Sequence, residues 1–410
     1  MSTGLRKLQV SFAGREVGVL AETPAREIYF EYDAEWQARG FALSPYHLPL
    51  APGLHRERTG IFGGLFGVFD DSLPDGWGLL LMDRFFQSKG RRPEELSPMD
   101  RLAYIGHGGM GALDYRPLLE EAVAHQAWVN LSDIASQAER IAAGSPEDVL
   151  PALLAAGGSS GGSRPKAFVS YHPKSGRIST DVLQPGKGFE HWLVKFRAKE
   201  DPRDAGCIEA AYADMARHAG VVLPTTRIFP TPMGNFFGIQ RFDRQAGGHR
   251  FHIHTFGGMI HASFREFNRD YREFLGTVLY LTRDFRQVEQ AFCRAAFNVL
   301  AHNRDDHVKN HAFVAEKAGQ WTLAPAYDLT KSVGIRGQHN MTVMGNGNPG
   351  LDDLRKLAED AGFEKTKATQ IMDEVRAAVS DWPAFAKAHG VGNASRKAVS
   401  EALKRVAAIP

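Results

Sequence analysis

The chain has 410 residues, of which 43% are hydrophobic and 10% aromatic, and its 49 Lys and Arg are set against 47 Asp and Glu. This length and composition provide a sizeable buried core and favour two or three domains over one. The net charge of +2 argues against a protein that binds nucleic acid through a strongly basic surface. It leaves open a complex that reaches DNA only indirectly, through a partner.

The two cysteines, Cys207 and Cys293, each stand in an apolar helical pattern. This predicts two buried thiols in a reducing compartment. The N-terminus lacks the apolar run of a signal peptide, and nowhere do about 18 uncharged apolar residues follow one another. We therefore expect a soluble, cytoplasmic protein with no membrane partner.

The first part of the chain predicts a small α+β unit. Leu8–Phe12 and Val17–Leu20 alternate around a Gly-containing turn, which is typical of a β-hairpin, and Ile28–Tyr32 continues the strand pattern. A helical pattern follows from Asp75 to Phe86. We assign this unit to residues 1–120.

The rest of the chain predicts a β-rich region at 121–243 and a helical region at 244–410, interrupted around 303–345. Amphipathic helices start at Leu131, and a Gly/Ser-rich stretch leads into further elements. In chain order these are a strand at Lys166–Tyr171, a strand at His191–Phe196, a helix at Ile208–His218 and strands through Phe242. The order of these elements is that of a two-lobed kinase: a Gly-rich turn, a strand with a Lys, a helix with a Glu, and a helical half with acidic loops.

The most informative motif is Asn-Arg-Asp-Asp-His-Val-Lys-Asn at Asn303–Asn310. Phosphoryl transfer needs a carboxylate to accept or orient the proton of the attacking hydroxyl, and oxygen ligands for Mg²⁺. Asp305 precedes Asn310 by the separation found in protein kinases, and Asp328 follows a second predicted strand. We predict an ATP- and Mg²⁺-dependent kinase with Asp305 as base, Asn310 and Asp328 as metal ligands, and Lys309 as a phosphate contact.

These polar residues have two other interpretations. The motif could be a solvated turn after a helix, although the placement of Asp328 argues against that. His307, or the pair His252 and His254, could ligate zinc, but the chain has no Cys-x-x-Cys and no His-Glu-x-x-His. A packed or hydrogen-bonded role is expected for His252 and His254.

The Gly/Ser-rich segment Gly157–Ser163 is not a Walker A loop, because Ser163 stands where that motif has Lys. It is either a flexible linker or, with Lys166 directly after it, a loop that closes over phosphates. Lys195 lies between apolar residues of a predicted strand, where a Lys is costly unless it is paired or faces a site. Glu209 is its predicted ion-pair partner; the alternative for Lys195 is an edge-strand residue that aids solubility.

Six motifs in order resemble those of the HipA-type serine/threonine kinases, the toxin components of bacterial toxin–antitoxin pairs. They are spread over nearly the whole chain: Asp71–Gly78, Gly108–Leu113, Arg164–Lys166, Arg241–Arg244, Asn303–Asn310 and Pro325–Leu329. The resemblance implies an α+β fold. In it, a two-lobed, protein-kinase-like core with a β-rich N-lobe and a helical C-lobe follows a small α+β N-terminal subdomain.

The resemblance also implies roles for individual residues. Lys195 would contact the nucleotide phosphates, with Lys166 and the loop ending at Ser163 beside it, and His307 would lie near the phosphates. Gln240 to Asp243 would form the hinge, with backbone groups from Gln240 to Phe242 reading adenine and Asp243 near the ribose. Autophosphorylation in the Gly/Ser loop, at Ser159 or Ser160, would add about two negative charges and switch the kinase off.

The implied partners are a helix-turn-helix antitoxin of the HipB type, through which DNA is reached, and a protein substrate. In the family that substrate can be an aminoacyl-tRNA synthetase, but this loop is richer in Gly and Ser, so the substrate does not transfer directly. Two alternatives stay open: a small-molecule kinase without a toxin role, and a catalytically silent nucleotide-binding repressor module.

Overall fold

The computed structural model of the protein describes residues 5–118, 128–145, 149, 151–157, 162–181, 186–245, 248–266, 269–317 and 319–407. Ser159 and Ser160, the predicted autophosphorylation sites, lie outside these ranges. None of the helices in the described part of the chain combines the length and the apolarity that a membrane crossing requires.

The first region forms an antiparallel sheet with strand order β4-β3-β2-β1-β5. Its strands are β1 (Arg6–Phe12), β2 (Arg15–Glu22), β3 (Ile28–Tyr32), β4 (Leu54–His55) and β5 (Leu113–Arg116). Four helices accompany it: α1 (Ala34–Arg39), α2 (Gly67–Asp70), α3 (Gly76–Ser88) and α4 (Pro98–Ile105). The predicted hairpin is confirmed, with Val10 opposite Gly18 in the ladder.

The second region contains another antiparallel sheet, with strand order β7-β6-β8-β10-β9. Its strands are β6 (Lys166–Tyr171), β7 (Ile178–Ser179), β8 (Glu190–Lys195), β9 (Thr226–Thr231) and β10 (Gly234–Gln240). The helices are α5 (Leu131–Ala142), α6 (Pro151–Gly157) and α7 (Ala205–His218). The strands and the helix predicted from the alternating and helical patterns are therefore confirmed, with differences of at most three residues at their ends.

The third region is mainly helical, as predicted, and carries two small sheets. Its strands are β11 (His252–Thr255), β12 (Arg269–Asp270), β13 (Ala312–Lys317), β14 (Gln320–Leu323) and β15 (Met341–Thr342). Its helices are α8 (Phe256–Met259), α9 (Tyr271–Thr282), α10 (Phe285–Leu300), α11 (Leu351–Asp360), α12 (Lys365–Ser380), α13 (Trp382–Ala388) and α14 (Asn393–Ala407). The sheets have the orders β11-β13-β14 and β12-β15.

Helix α10 carries the chain to the candidate site. Its N-cap residue Asp284 accepts a hydrogen bond from the backbone N–H of Arg286, which satisfies one of the donors left open at a helix start. From Ala291 to Leu300 every residue is buried. The helix therefore forms a fixed support in the core, and it ends just before Asn303–Asn310.

The buried apolar residues do not separate into one cluster per predicted domain. Trp77 and Leu81 of α3 belong to the same cluster as Val169 and Val194 of the second sheet. The predicted boundaries at residues 120 and 243 remain predictions, and packing crosses the first of them. Cys207 and Cys293 are both buried free thiols.

Candidate active site

The segment Asn303–Asn310 connects α10 to β13, and its side chains divide into an exposed and a buried set. Asp305 is exposed, whereas Asn303 and Asp306 are buried. The Asn310 side chain donates through Nδ2 to the backbone carbonyl of Asp305 at 2.6 Å. The amide oxygen of Asn310 is therefore the side-chain atom left to act as a ligand.

Asp306 anchors this segment from inside the protein. Its Oδ2 accepts from the Tyr271 hydroxyl at 2.8 Å and from His339 Nδ1 at 2.8 Å, and its Oδ1 accepts from the backbone N–H of Asn340 at 2.9 Å. Burial by itself would raise the pKa of Asp306, but His339 and these hydrogen bonds lower it. Asp306 stays ionised and ties the segment to α9 and to residues 339–340. No sequence pattern indicates this role of Asp306.

The buried Lys195 lies at the centre of an ion-pair cluster whose two carboxylates are partly exposed. Its Nζ is 2.6 Å from Glu209 Oε2 on α7 and 2.5 Å from Asp328 Oδ1, so the predicted pair with Glu209 is present. Burial would lower the pKa of Lys195, but the two carboxylates raise it. In the same way, burial would raise the pKa of Asp328, and Lys195 and Lys166 lower it. The backbone of Asp328 is left-handed, with φ 54°, a conformation that non-Gly residues adopt rarely and often at functional sites.

Lys166 faces Lys195 directly across the β6–β8 ladder. Both side chains are buried, at 5% and 8% exposure. Burial lowers the pKa of Lys166, and Asp328 opposes that effect. Like charges directly opposite each other destabilise a sheet. Two buried ammonium groups that face each other therefore indicate a binding site for an anionic ligand. Such a ligand, for example a polyphosphate, would add negative charge to that of Asp328 and Glu209.

The N-terminal region holds the end of the Gly/Ser segment. Asp75 is the N-cap residue of α3, yet its carboxylate does not cap that helix and instead accepts from the backbone N–H of Gly162. Trp77 donates through its backbone N–H to the Gly162 carbonyl at 2.8 Å, and through Nε1 to the Lys166 carbonyl at 2.9 Å. At Gly76, with φ 46°, a Cβ would come within 2.8 Å of Ser163 Cα. Only Gly fits there, so the two segments are in backbone contact.

Lys309, the predicted phosphate contact, also meets the N-terminal region. Its Nζ is 3.3 Å from Asp70 Oδ2, 3.6 Å from Asp75 Oδ2 and 5.3 Å from the centre of the Phe264 ring. Burial would lower the pKa of Lys309, and Asp70 and Asp75 raise it. Its ammonium group therefore already has carboxylate partners, and its contact with phosphate remains a prediction.

The predicted hinge begins where β10 ends. The backbone N–H of Gln240 donates to Thr225 at 2.8 Å, so that group is engaged inside the fold. Phe242 stacks on Tyr327 with ring centres 5.8 Å apart. Asp243 is fully buried and accepts from Arg241 Nε at 2.9 Å and from the Gly111 backbone at 2.9 Å. Its contact with a ribose remains a prediction, whereas its role in joining the hinge to the Gly108–Leu113 motif is structural.

These residues surround one cavity of about 660 Å³. All three regions of the chain line it, and the predicted residues that do so are Ser163, Lys166, Lys195, Gln240, Phe242, Asp243, Asp305, His307, Lys309, Asn310 and Asp328. His307 Nδ1 is buried and has no hydrogen-bond partner among the described residues. Other lining residues, for which the sequence indicates no individual role, include Asp71, Met110, Tyr327, Ser332 and Asn340. These residues reach the cavity through tertiary contacts, so motif spacing in the sequence does not indicate them.

For the alternative of a zinc site, the described part of the chain contains no group of three or more His, Cys, Asp or Glu side chains that could hold a metal ion. His252 Nε2 lies 2.9 Å from the Leu43 carbonyl, and His254 Nδ1 lies 2.6 Å from Asp71. Both histidines thus join β11 to the first region. The amide oxygen of Asn310 and the ionised carboxylate of Asp328 do suit Mg²⁺, which typically takes one or two protein oxygens and fills its other positions with phosphate and water.

Comparison with known proteins places the chain in a family. Residues 8–116 match the family described as HipA N-terminal domain, and residues 158–382 match the HipA-like C-terminal domain. Among solved structures, the chain is similar to HipA in a Shewanella oneidensis MR-1 complex of HipA, HipB and operator DNA. The identity is 18%, the TM-score is 0.73, and 98% of this chain and 96% of that chain are covered.

The Helicobacter pylori proinflammatory kinase CtkA gives a weaker match, with a TM-score of 0.31, 11% identity, and 52% of this chain and 92% of that chain covered. A match at that level does not establish a common fold. No curated protein matches the sequence significantly. Because the two family matches lie between residues 8 and 382 and the HipA fold extends over nearly the whole chain, this protein belongs to the HipA family and has its mixed α+β fold.

Proposed function

We propose that this protein is an ATP- and Mg²⁺-dependent serine/threonine protein kinase. The observation that carries the proposal is the cluster in which Lys195 contacts both Glu209 and Asp328 within 2.6 Å, in the cavity that also contains Asp305 and Asn310. A buried ammonium, a base and two oxygen ligands around one cavity are the parts that phosphoryl transfer requires.

In this mechanism the nucleotide occupies the cavity, with its phosphates against Lys195 and Lys166. Asp328 and the Asn310 amide oxygen would hold Mg²⁺, which neutralises phosphate charge when bound. Asp305 is exposed at the cavity and would accept the proton of a serine or threonine hydroxyl as that oxygen attacks the γ-phosphorus. The protein supplies position and charge rather than covalent chemistry.

The Gly/Ser segment would provide the off-switch. A phosphate on Ser159 or Ser160 brings about two negative charges at neutral pH. In the sequence, Ser160 stands three residues and Ser159 four residues before Ser163, which lines the cavity. Electrostatic repulsion would then keep ATP out of the cavity.

The biological role follows from the family rather than from the site. The similar Shewanella protein was solved with HipB and operator DNA, and we infer a helix-turn-helix antitoxin of the HipB type as partner here. DNA would be reached only indirectly, through that antitoxin, in line with the net charge of +2. The target would be a protein, with an aminoacyl-tRNA synthetase as the first candidate, and its phosphorylation would arrest growth.

The proposal is tested by incubating the protein with [γ-³²P]ATP and Mg²⁺, with casein as a generic acceptor, beside Asp305→Asn. We expect labelled phosphoserine or phosphothreonine from the wild type and a decrease of about 10²–10⁴-fold in the variant, the usual contribution of a general base. Equal labelling by both proteins, or none by the wild type, would contradict it. Growth arrest on expression that Asp305→Asn relieves would support the toxin role, and harmless expression of the active kinase would contradict it.

A further inference from the structure

The chain segment after Asp328 returns to Asn303–Asn310, which we call the catalytic loop after its proposed role, and is hydrogen-bonded to it. Ser332 Oγ accepts hydrogen bonds from the backbone N–H groups of Arg304 and Asp305, each at 2.7 Å. It also donates to the Asn303 side-chain oxygen at 3.3 Å. This one hydroxyl therefore fixes the backbone of the proposed base.

Asn340 acts on the carboxylate of the same residue. Its Nδ2 donates to Asp305 Oδ1 at 2.9 Å, while its backbone N–H donates to Asp306 Oδ1 at 2.9 Å. The side chain is 6% exposed and lines the cavity. Because Asp306 holds the backbone of Asn340 within the buried network, the amide group reaches Asp305 from a rigid point.

The other end of the same amide is not satisfied. Asn340 Oδ1 is buried and has no donor among the described residues. A buried acceptor without a partner costs on the order of 1–3 kcal/mol, and such groups are uncommon in native proteins. Stability therefore does not explain an asparagine at this position, whereas the bond to Asp305 does.

We propose that Asn340 is a positioning residue that orients the base Asp305; this rests on the kinase function proposed above. The bond to Oδ1 fixes the plane of the carboxylate and directs Oδ2 to the acceptor hydroxyl. The hydroxyl oxygen then forms the bond to the γ-phosphorus, the bond from that phosphorus to the ADP oxygen breaks, and the hydroxyl proton passes to Asp305. Misplacing a reacting group by about 1 Å can cost about 10²-fold in rate.

The test compares Asn340→Ala and Asn340→Asp with the wild type, using [γ-³²P]ATP, Mg²⁺ and casein. Both variants keep the backbone bond to Asp306, and the Asp variant keeps the shape but loses the donor. We expect kcat to fall about 10–100-fold in both, with the KM for ATP and the affinity for Mg²⁺–ADP in calorimetry within about twofold of wild type. Unchanged kcat in Asn340→Ala would overturn the proposal.

The matched control is Asn346→Ala. Asn346 also donates from Nδ2 to a carboxylate, Asp353 at 2.8 Å, but it is exposed and does not line the cavity. This variant should keep wild-type kcat. If Asn340→Ala lost thermal stability and nucleotide affinity together with kcat, Asn340 would be a structural residue and the proposal would fail.

A crystal structure of Asn340→Ala provides a readout that does not depend on activity. We expect the Asp305 carboxylate to leave its wild-type orientation or to occupy several orientations, while residues 303–304 and Asp306 stay in place. An unmoved Asp305 would overturn the proposal even if no kinase activity were found. Absence of activity in the wild type would instead count against the proposed function.

Discussion

The two sides of the cavity are held in place in different ways. The catalytic loop is tied by a buried side-chain network around Asp306 that stays within the third region. The Gly162–Lys166 end of the Gly/Ser segment is instead held by Asp75 and Trp77, which lie 87 and 89 residues earlier in the chain. The first side is thus anchored mainly within its own region, with Lys309 as its contact to Asp70 and Asp75 of the N-terminal region. The second side depends on packing against that N-terminal region. Disturbing the first should cost stability, and disturbing the second should mainly cost nucleotide affinity.

The largest effect should come from Asp306→Ala. It removes three hydrogen bonds and leaves the Tyr271 hydroxyl, His339 and the Asn340 N–H without their buried acceptor. We expect the free energy of unfolding in urea to fall by about 3–5 kcal/mol. Asp373→Ala is the control, because it breaks only an exposed pair with Arg376 and should cost less than about 1 kcal/mol. Similar losses in both variants would show that the catalytic loop does not depend on its buried anchor.

A second effect concerns pH and the contact between β11 and the N-terminal region. Burial lowers the pKa of His252 to about 4, from an ordinary value of 6.5, and the Leu43 carbonyl only partly opposes this. The folded state therefore keeps His252 neutral, and its stabilising contribution, complete above pH 6.5, is lost as pH falls towards 4.

At pH 5 this single group should reduce the free energy of unfolding by about 2 kcal/mol. His252→Gln, which retains a donor for Leu43, should show a correspondingly smaller loss between pH 7.5 and pH 5. Urea unfolding at both pH values measures the difference. Parallel losses in the two proteins would contradict this assignment.

The third effect separates affinity from stability at the Gly162 contact. Asp75→Ala removes the acceptor for the Gly162 N–H and one carboxylate beside Lys309. We expect the KM for ATP to rise about tenfold, which corresponds to about 1.4 kcal/mol for one charge-assisted hydrogen bond, while kcat changes less. Asp75→Asn keeps an acceptor oxygen and should restore most of the affinity. If the Asn variant behaved like the Ala variant, charge rather than the hydrogen bond would be responsible.

The smallest effect is expected for Trp77→Phe, which removes the indole donor to the Lys166 carbonyl. The free energy of unfolding should fall by about 1 kcal/mol. The affinity for ATP should fall severalfold, because Lys166 faces the cavity. Trp36→Phe is a matched control, since Trp36 Nε1 donates to the Phe41 carbonyl at 3.0 Å away from the cavity. It should lose comparable stability without a change in ATP affinity. If both Trp77→Phe and Trp36→Phe lost ATP affinity, the effect would not be specific to the Lys166 side of the cavity.

The sequence by itself determined the local structure and the chemical parts of the site. Period-two alternation predicted β1, β2 and β3, and the patterns around Lys166, Lys195 and Glu209 predicted β6, β8 and α7, because these signals depend on neighbouring residues only. The order of the motifs predicted the HipA family. The spacing from Asp305 to Asn310 indicated phosphoryl transfer, a function that remains to be tested.

Only the tertiary structure decided how those parts are held. In the sequence Asp306 is one of two adjacent carboxylates in Asn303–Asn310. Its burial against Tyr271 and His339 depends on contacts with residues 35 and 33 positions away, respectively. The sequence around Asp75 indicates a helix N-cap. That its carboxylate instead accepts a hydrogen bond from the Gly162 N–H follows only from how α3 packs on the second sheet. Asn340 carries no sequence signal at all. Periodicity and spacing indicate local geometry. Burial and long-range hydrogen bonds arise only when distant segments pack together, and it is these contacts that position Asp305 and Lys166.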